Sequence, residues 1–256
     1  MKEKDGLCSF IGIDLAWSER HPSGLALLTY NGDTAVLSAA DCRTSDEDII
    51  GWIEQHGKGP TWLGIDAPII APSPEKTARP VDRQVASLFG RFHAGVYPGN
   101  RERCARPIRI SQKLSLQGYC VDPFCAHSPQ RRQLEIFPHL AQVALFGARP
   151  IVKYKKGSRA EKCAGLTELQ RAIAKSLAAL DPPLVSSAEL RALLEVAPRE
   201  LRGKQLKALE DKIDALLCAY MALYFWRWGE EKCQVFGDVV TGYIIGPKIP
   251  RVQDGG

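Results

Sequence analysis

The 256-residue chain predicts an α/β fold built on a mixed sheet, and two observations carry that reading. Two short apolar runs, Phe10-Ile11-Gly12-Ile13-Asp14 and Trp62-Leu63-Gly64-Ile65-Asp66, read as buried strands that each end in Gly-Ile-Asp. From about residue 138 onward the periodicity turns helical and stays so almost to the end. With 45% apolar residues the chain can bury a large core, and it reads as one domain over 1–256.

The first strand covers about residues 9–16 and the second 24–30. Asn31-Gly32 supplies the positive φ angles of a tight hairpin into a third strand at 34–40, which completes an antiparallel meander. Thr44 and Glu47 stand at capping-box spacing, and Ile49, Ile50 and Ile53 recur at helical intervals until Gly57, so a helix is predicted over 45–56. Residues 62–65 form a fourth strand that Pro68 closes, because proline cannot donate to a sheet ladder. This order suits a sheet in which strands 1 and 4 are parallel neighbours joined by a crossover that carries the helix.

From 69 to 132 the periodicity lapses and prolines accumulate, which reads as a long insertion with one helix near 81–92. Phe89, Phe92 and Tyr97 are expected to anchor it. A fifth strand at 134–138 precedes helices at 138–146, 166–180, 188–196 and 199–228, and a short strand at 241–245 closes the pattern. The expected sheet therefore has five strands flanked by helices, with a basic insertion and a helical C-terminal half.

Asp14 and Asp66 are the candidate functional residues, because an ionised carboxylate at the end of a buried strand is unfavourable without a partner. Residues two apart share a face of a strand, so Gly12 and Gly64 are expected to leave room beside the two acids. Asp211 and Asp214 lie three apart on one face of the long C-terminal helix, where Asp211, Ala215, Cys218 and Ala222 form a stripe of small residues. Four converging carboxylates repel one another, and two magnesium or manganese ions about 4 Å apart would satisfy them. Glu135, on the fifth strand, either joins that metal shell or pairs with Arg131 or Arg132.

The net charge of +5 is unevenly spread. Arg79, Arg83, Arg91, Arg101, Arg103, Arg106, Arg109 and Lys113 face only Asp82 and Glu102 over the same stretch, which suggests an acidic partner such as nucleic acid. Arg79 and Arg83 are the expected phosphate contacts, extended by Lys153, Lys155, Lys156 and Arg159. The eight cysteines are expected as thiols, with Cys104, Cys120, Cys125 and His127 as an alternative loop zinc site. The charged N-terminus lacks a signal-peptide core, and the apolar stretch 213–226 is short for a bilayer and contains Asp214, so a soluble, cytoplasmic protein without a membrane partner is expected.

Taken together, Gly12-Ile13-Asp14-Leu15-Ala16-Trp17, Gly64-Ile65-Asp66-Ala67-Pro68, Arg79 with Asp82 and Arg83, Glu135-Ile136-Phe137-Pro138-His139, and Asp211-x-x-Asp214-Ala215 resemble a domain-of-unknown-function family described as predicted RNase H-like nucleases. The resemblance covers nearly the whole chain. It implies an RNase H-like fold of the RuvC type, in which acids on strand 1, at the end of strand 4 and on a late helix bind two metals. Asp66 stands where the RuvC pattern has a glutamate. The expected activity is thus two-metal hydrolysis of nucleic-acid phosphodiesters by Asp14, Asp66, Asp211 and Asp214. A non-catalytic nucleic-acid-binding protein of the same fold is the alternative. A sugar-kinase or actin-like phosphotransferase is a third reading, against which stand the short chain and the absence of a glycine-rich phosphate loop.

Overall fold

The structure, a computed structural model, describes residues 8–74, 77–124, 130–147 and 149–249. Its strands are β1 (Cys8–Asp14), β2 (Ser23–Tyr30), β3 (Ala35–Arg43), β4 (Thr61–Ile65), β5 (Arg131–Glu135), β6 (Leu184–Val185), β7 (Cys233–Asp238) and β8 (Gly242–Pro247). The helices are α1 (Asp46–His56), α2 (Pro80–Phe89), α3 (Ala105–Leu116), α4 (Pro138–Leu145), α5 (Arg159–Ala178), α6 (Ala188–Leu194) and α7 (Lys204–Trp228).

The main sheet has six strands in the order β5-β4-β1-β2-β3-β6, not the five expected. β1, β2 and β3 are antiparallel neighbours, and β4 lies parallel to β1 with Ile13 opposite Ile65. β5 continues in parallel beyond β4, with Ile65 opposite Glu135. The sixth strand, β6, is a two-residue piece that pairs with the start of β3, too short to leave a periodic signal in sequence. β7 and β8 form a separate antiparallel pair, so the expected closing strand gains an unforeseen partner.

Because successive side chains alternate across a strand, Phe10, Gly12 and Asp14 share one face of β1, as Gly64 and Asp66 share one face at β4. That face receives α7. A Cβ on Gly12 would lie 1.8 Å from the Ala215 carbonyl oxygen, one on Gly64 would lie 2.3 Å from the Cys218 carbonyl oxygen, and one on Gly24 would lie 2.1 Å from that of Asp211. The expectation that the glycines leave space beside the acids is therefore corrected: the helix backbone fills it. The small-residue stripe of α7 seats there, and the helix is buried around its whole circumference from Ile213 to Phe225. Ile11, Ile13, Leu63 and Ile65 point to the opposite face and are buried in one core with Ile49, Trp52 and Ile53 of α1 and Ile110 and Leu114 of α3.

The stretch 69–132 is more ordered than its composition suggests. α2 packs through Val81, Val85 and Phe89 against Leu140 and Val143 of α4, Phe236 of β7 and Ile244 of β8, forming a second, smaller core. Phe89 and Phe92 anchor this region as expected, whereas Tyr97 is 64% exposed. α3 was not foreseen, since half of its length is charged or polar. Its Arg106 and Arg109 are ordered by Asp46 at the start of α1. Among the described residues no helix is long and apolar enough to cross a membrane.

Candidate active site

The parallel register of β1 and β4 puts the first two acids side by side. The Asp66 amide donates to the Ile13 carbonyl at 2.8 Å, so Asp14 and Asp66 leave adjacent strands at the same level. The seating of α7 on Gly12, Gly24 and Gly64 brings Asp211 and Asp214 to the same end. All four expected carboxylates thus converge, and burial together with repulsion raises the pKa values of Asp14, Asp66 and Asp211. Burial, reinforced by Asp214, Asp66 and Asp211, raises the Asp14 pKa well above the ordinary value against the pull of Lys155. Burial, with Asp214 and Glu135 nearby, pushes Asp66 up to about 7.

Asp214 is fully buried, with a hydroxyl beside one of its oxygens and an ammonium beside the other. The Tyr154 hydroxyl donates to Oδ1 at 2.5 Å, and Lys155 Nζ lies 2.7 Å from Oδ2. Burial opposes the charge on Lys155, but Asp214, followed by Tyr154, Asp14 and Asp66, outweighs it and holds the lysine pKa above its usual value. Lys155, expected as a phosphate contact, is thus held on the acids in this structure with its side chain 34% exposed. His139 lies behind Tyr154, and burial lowers its pKa to about 4, so it is neutral at pH 7.

Asp211, 2% exposed, pairs through Oδ1 with Lys207 at 2.7 Å, while no described group donates to its Oδ2. Its carboxyl is within hydrogen-bonding reach of Asp14. Two carboxyls that face each other need a proton or a cation between them. Burial raises the Asp211 pKa above the ordinary carboxylate value, and Lys207 only partly opposes this. The donor set of hard oxygens suits Mg²⁺ or Mn²⁺. Among the described residues, however, no three His, Cys, Asp or Glu side chains are already grouped to hold an ion.

Glu135 lies beside Asp66 but turns away from a metal role. Arg79 meets it with two parallel bonds, Nη2 to Oε1 at 2.6 Å and Nη1 to Oε2 at 2.8 Å, and the Ile69 amide adds a third. Arg79 also holds Asp82 and the Ile70 carbonyl, and its side chain is wholly buried. With every guanidinium N–H engaged, Arg79 cannot serve as the expected phosphate contact: it is a brace that fixes the loop after β4 to β5. The expected ion-pair partner of Glu135 is corrected to Arg79, while Arg131 donates to the Gln117 carbonyl and Arg132 to that of Pro123.

The basic stretch is turned inward more than its sequence suggests. Arg106 is buried against Asp46 and the carbonyls of Ala16, Ser18 and Thr44, Arg109 pairs with Asp46 and Glu19, and Lys113 with Glu47. Arg83, Arg91, Arg101 and Arg103 remain exposed. Arg83 donates to the Ala78 carbonyl at 2.7 Å, Lys153 is exposed beside a cavity of about 320 Å³, and Arg159 holds the Arg199 and Leu201 carbonyls. In the alternative zinc set, Cys104 is buried with its thiol pushed up to about 11, and Cys125 and His127 lie outside the described residues.

A cleft of about 470 Å³ opens above Asp14 and Asp66, walled by Trp17, Tyr97, Phe137 and Ile244. Trp17 and Tyr97 meet edge to face at 5.8 Å, and the Arg103 guanidinium lies 5.4 Å from the Tyr97 ring centre. This aromatic lip was missed because Trp17 and Tyr97 are eighty residues apart. A larger cavity of about 670 Å³ between α5 and residues 194–199 holds none of the four aspartates, and its Gln170 and Arg159 are spent on backbone carbonyls.

Residues 12–241 match the family model described as protein of unknown function, DUF429. Comparisons with curated proteins and with solved structures gave no match.

Proposed function

The chain belongs to the DUF429 family of proteins of unknown function, and we propose that it hydrolyses phosphodiester bonds of nucleic acid with the help of magnesium or manganese. The observation that carries this reading is the convergence of Asp14, Asp66 and Asp211, whose pKa values are raised, with an unmet oxygen on Asp211. A site that gathers like charges without enough donors is one that a cation would complete. Asp14, Asp66 and Asp211 would hold it, with Asp214 behind them. There the ion would supply a hydroxide near neutral pH and polarise the phosphoryl oxygen.

The strand order β3-β2-β1-β4-β5, antiparallel for the first three and with an acid at the ends of β1 and β4, supports an RNase H-like fold, with β6 as an addition at the edge. Nucleic acid is favoured as substrate by the cleft above the acids. Its Trp17 and Tyr97 rings offer a stacking surface for a base, and the exposed Arg103 and Arg101 offer donors to phosphate.

The Lys155–Asp214 pair favours a second reading, a binding protein of the same fold without turnover, because it already neutralises one carboxylate. One experiment separates the two. Single- and double-stranded DNA and RNA are incubated with the protein, with and without Mn²⁺, beside Asp14→Asn. Cleavage that needs the ion and is lost in the variant supports hydrolysis. Binding without cleavage moves the second reading ahead.

A further inference from the structure

We infer that Lys155 is a resident cation of the carboxylate cluster, its ammonium taking the place of a second metal ion, so that the site accepts one divalent ion. The inference rests on the metal-dependent reading above and departs from the two-ion arrangement that four acids suggest. Asp214 is the pivotal residue. Consecutive side chains of one segment meet its two oxygens, Tyr154 on Oδ1 and Lys155 on Oδ2, so that the ammonium stands where a second ion beside Asp214 would have to sit.

That segment is held from behind. The Lys153 carbonyl presses on α5 so closely that a Cβ on Gly165 would lie 2.1 Å from it. The Tyr154 ring is 1% exposed, and its hydroxyl also accepts from Gln142 at 3.3 Å. The backbone that carries Lys155 is thus fixed, and its ammonium stays within the field of Asp14 and Asp66 as well as Asp214. Glu135, the fifth acid in reach, is closed by Arg79.

What remains is Asp14, Asp66 and the Oδ2 of the nearly buried Asp211, to which no described group donates.

The test is a calorimetric titration of MnCl₂ into metal-free wild-type protein, Lys155→Met and Lys155→Gln, with manganese electron paramagnetic resonance at saturation. One site per chain and an uncoupled six-line signal in the wild type, rising to two sites and a spin-coupled signal in K155M, is the expected result. Two sites in the wild type, or one unchanged site in folded K155M and K155Q, overturns the inference and leaves the hydrolase reading standing. No ion in any of the three overturns both. If both variants fail to fold, the wild-type stoichiometry and signal decide alone: one uncoupled ion supports the inference and a coupled pair overturns it.

Discussion

Gly12 and Ala215 meet backbone to backbone, with the Ala215 carbonyl oxygen standing 1.8 Å from where a Cβ on Gly12 would be. This contact sets the height of α7 over β1, and so the distance of Asp211 and Asp214 from Asp14. The glycine of each Gly-Ile-Asp run is therefore what lets the helix acids reach the strand acids. An added methyl must push backbone away from backbone, which no rotamer change can relieve.

Gly12→Ala is accordingly expected to destabilise the protein by about 3 kcal/mol or more, beyond the usual overpacking range. Gly51→Ala is the control, because Gly51 lies within α1 with nothing inside 4 Å of its would-be Cβ. It should stabilise by about 0.8 kcal/mol through helix propensity. Urea unfolding of both variants checks the pair, and equal effects would reject the argument.

The Arg79–Glu135 pair predicts a different separation. Removing one partner leaves a buried charge alone, so Arg79→Met or Glu135→Gln is expected to cost about 3–5 kcal/mol. Arg79→Lys should recover little, because an ammonium cannot reproduce the forked contact with Glu135 and Asp82. Under conditions where the variants remain folded, nucleic-acid affinity should be unchanged. Loss of affinity at full folding would return Arg79 to the phosphate-binding role its sequence context suggests.

These two features mark where the sequence was legible and where it was not. The strand ends at Asp14 and Asp66 and the parallel pairing of β1 with β4 follow from apolar runs, turn residues and chain order, all of which are local. The inward turn of Arg79 and Arg106 is not local: their acids, Glu135 and Asp46, lie 56 and 60 residues away along the chain, as Asp46 lies 63 from the exposed Arg109 that it pairs with. A charge count over 79–113 therefore recorded a basic surface where half of the cations are structural. Lys155 misled in the same way, since nothing near it in sequence announces Asp214. Tyr97 erred in the opposite sense, as an aromatic expected to anchor the region that instead faces solvent.

Asp46 gives the pH dependence. Burial pushes its pKa up, but hydrogen bonds from Arg106 and Arg109 outweigh this and hold it below the ordinary carboxylate value. A lowered folded-state pKa contributes stability that is present above the unfolded value of about 4 and is lost as pH falls through the folded one. Unfolding midpoints of the wild type should therefore drop below about pH 4. Asp46→Asn should be less stable at pH 7 and show a shallower acid limb. An identical acid limb in the variant would assign the effect elsewhere.

Tyr97 and Arg103 test the aromatic lip. A base stacked on Tyr97 would contribute on the order of 1–3 kcal/mol, so Tyr97→Ala should weaken single-stranded DNA or RNA binding by roughly tenfold or more, with little change in stability because the ring is exposed. Arg103→Ala should lower the slope of log affinity against log salt by about 1 if it contacts one phosphate. Fluorescence titration that follows Trp17 at several salt concentrations reads both. Unchanged affinity in Y97A would remove the cleft from substrate binding.

The carboxylate cluster itself makes the last prediction, and it runs against the usual effect of a mutation. Asp14 faces Asp66, Asp211 and Asp214, and burial and these acids together outweigh the pull of Lys155, so its charge opposes folding when no ion is bound. Asp14→Asn keeps the shape and removes one member of the repelling set, and should stabilise the metal-free protein by roughly 1–2 kcal/mol at pH 7 to 8. Adding Mn²⁺ should reverse the order, because the wild type then gains the binding energy of the ion and the variant gains less. Thermal melts of both proteins with chelator and with Mn²⁺ supply the four values needed. A wild type more stable than D14N with chelator present would mean that Asp14 is already compensated within the fold, and the case for a cation at this site would lose its electrostatic basis.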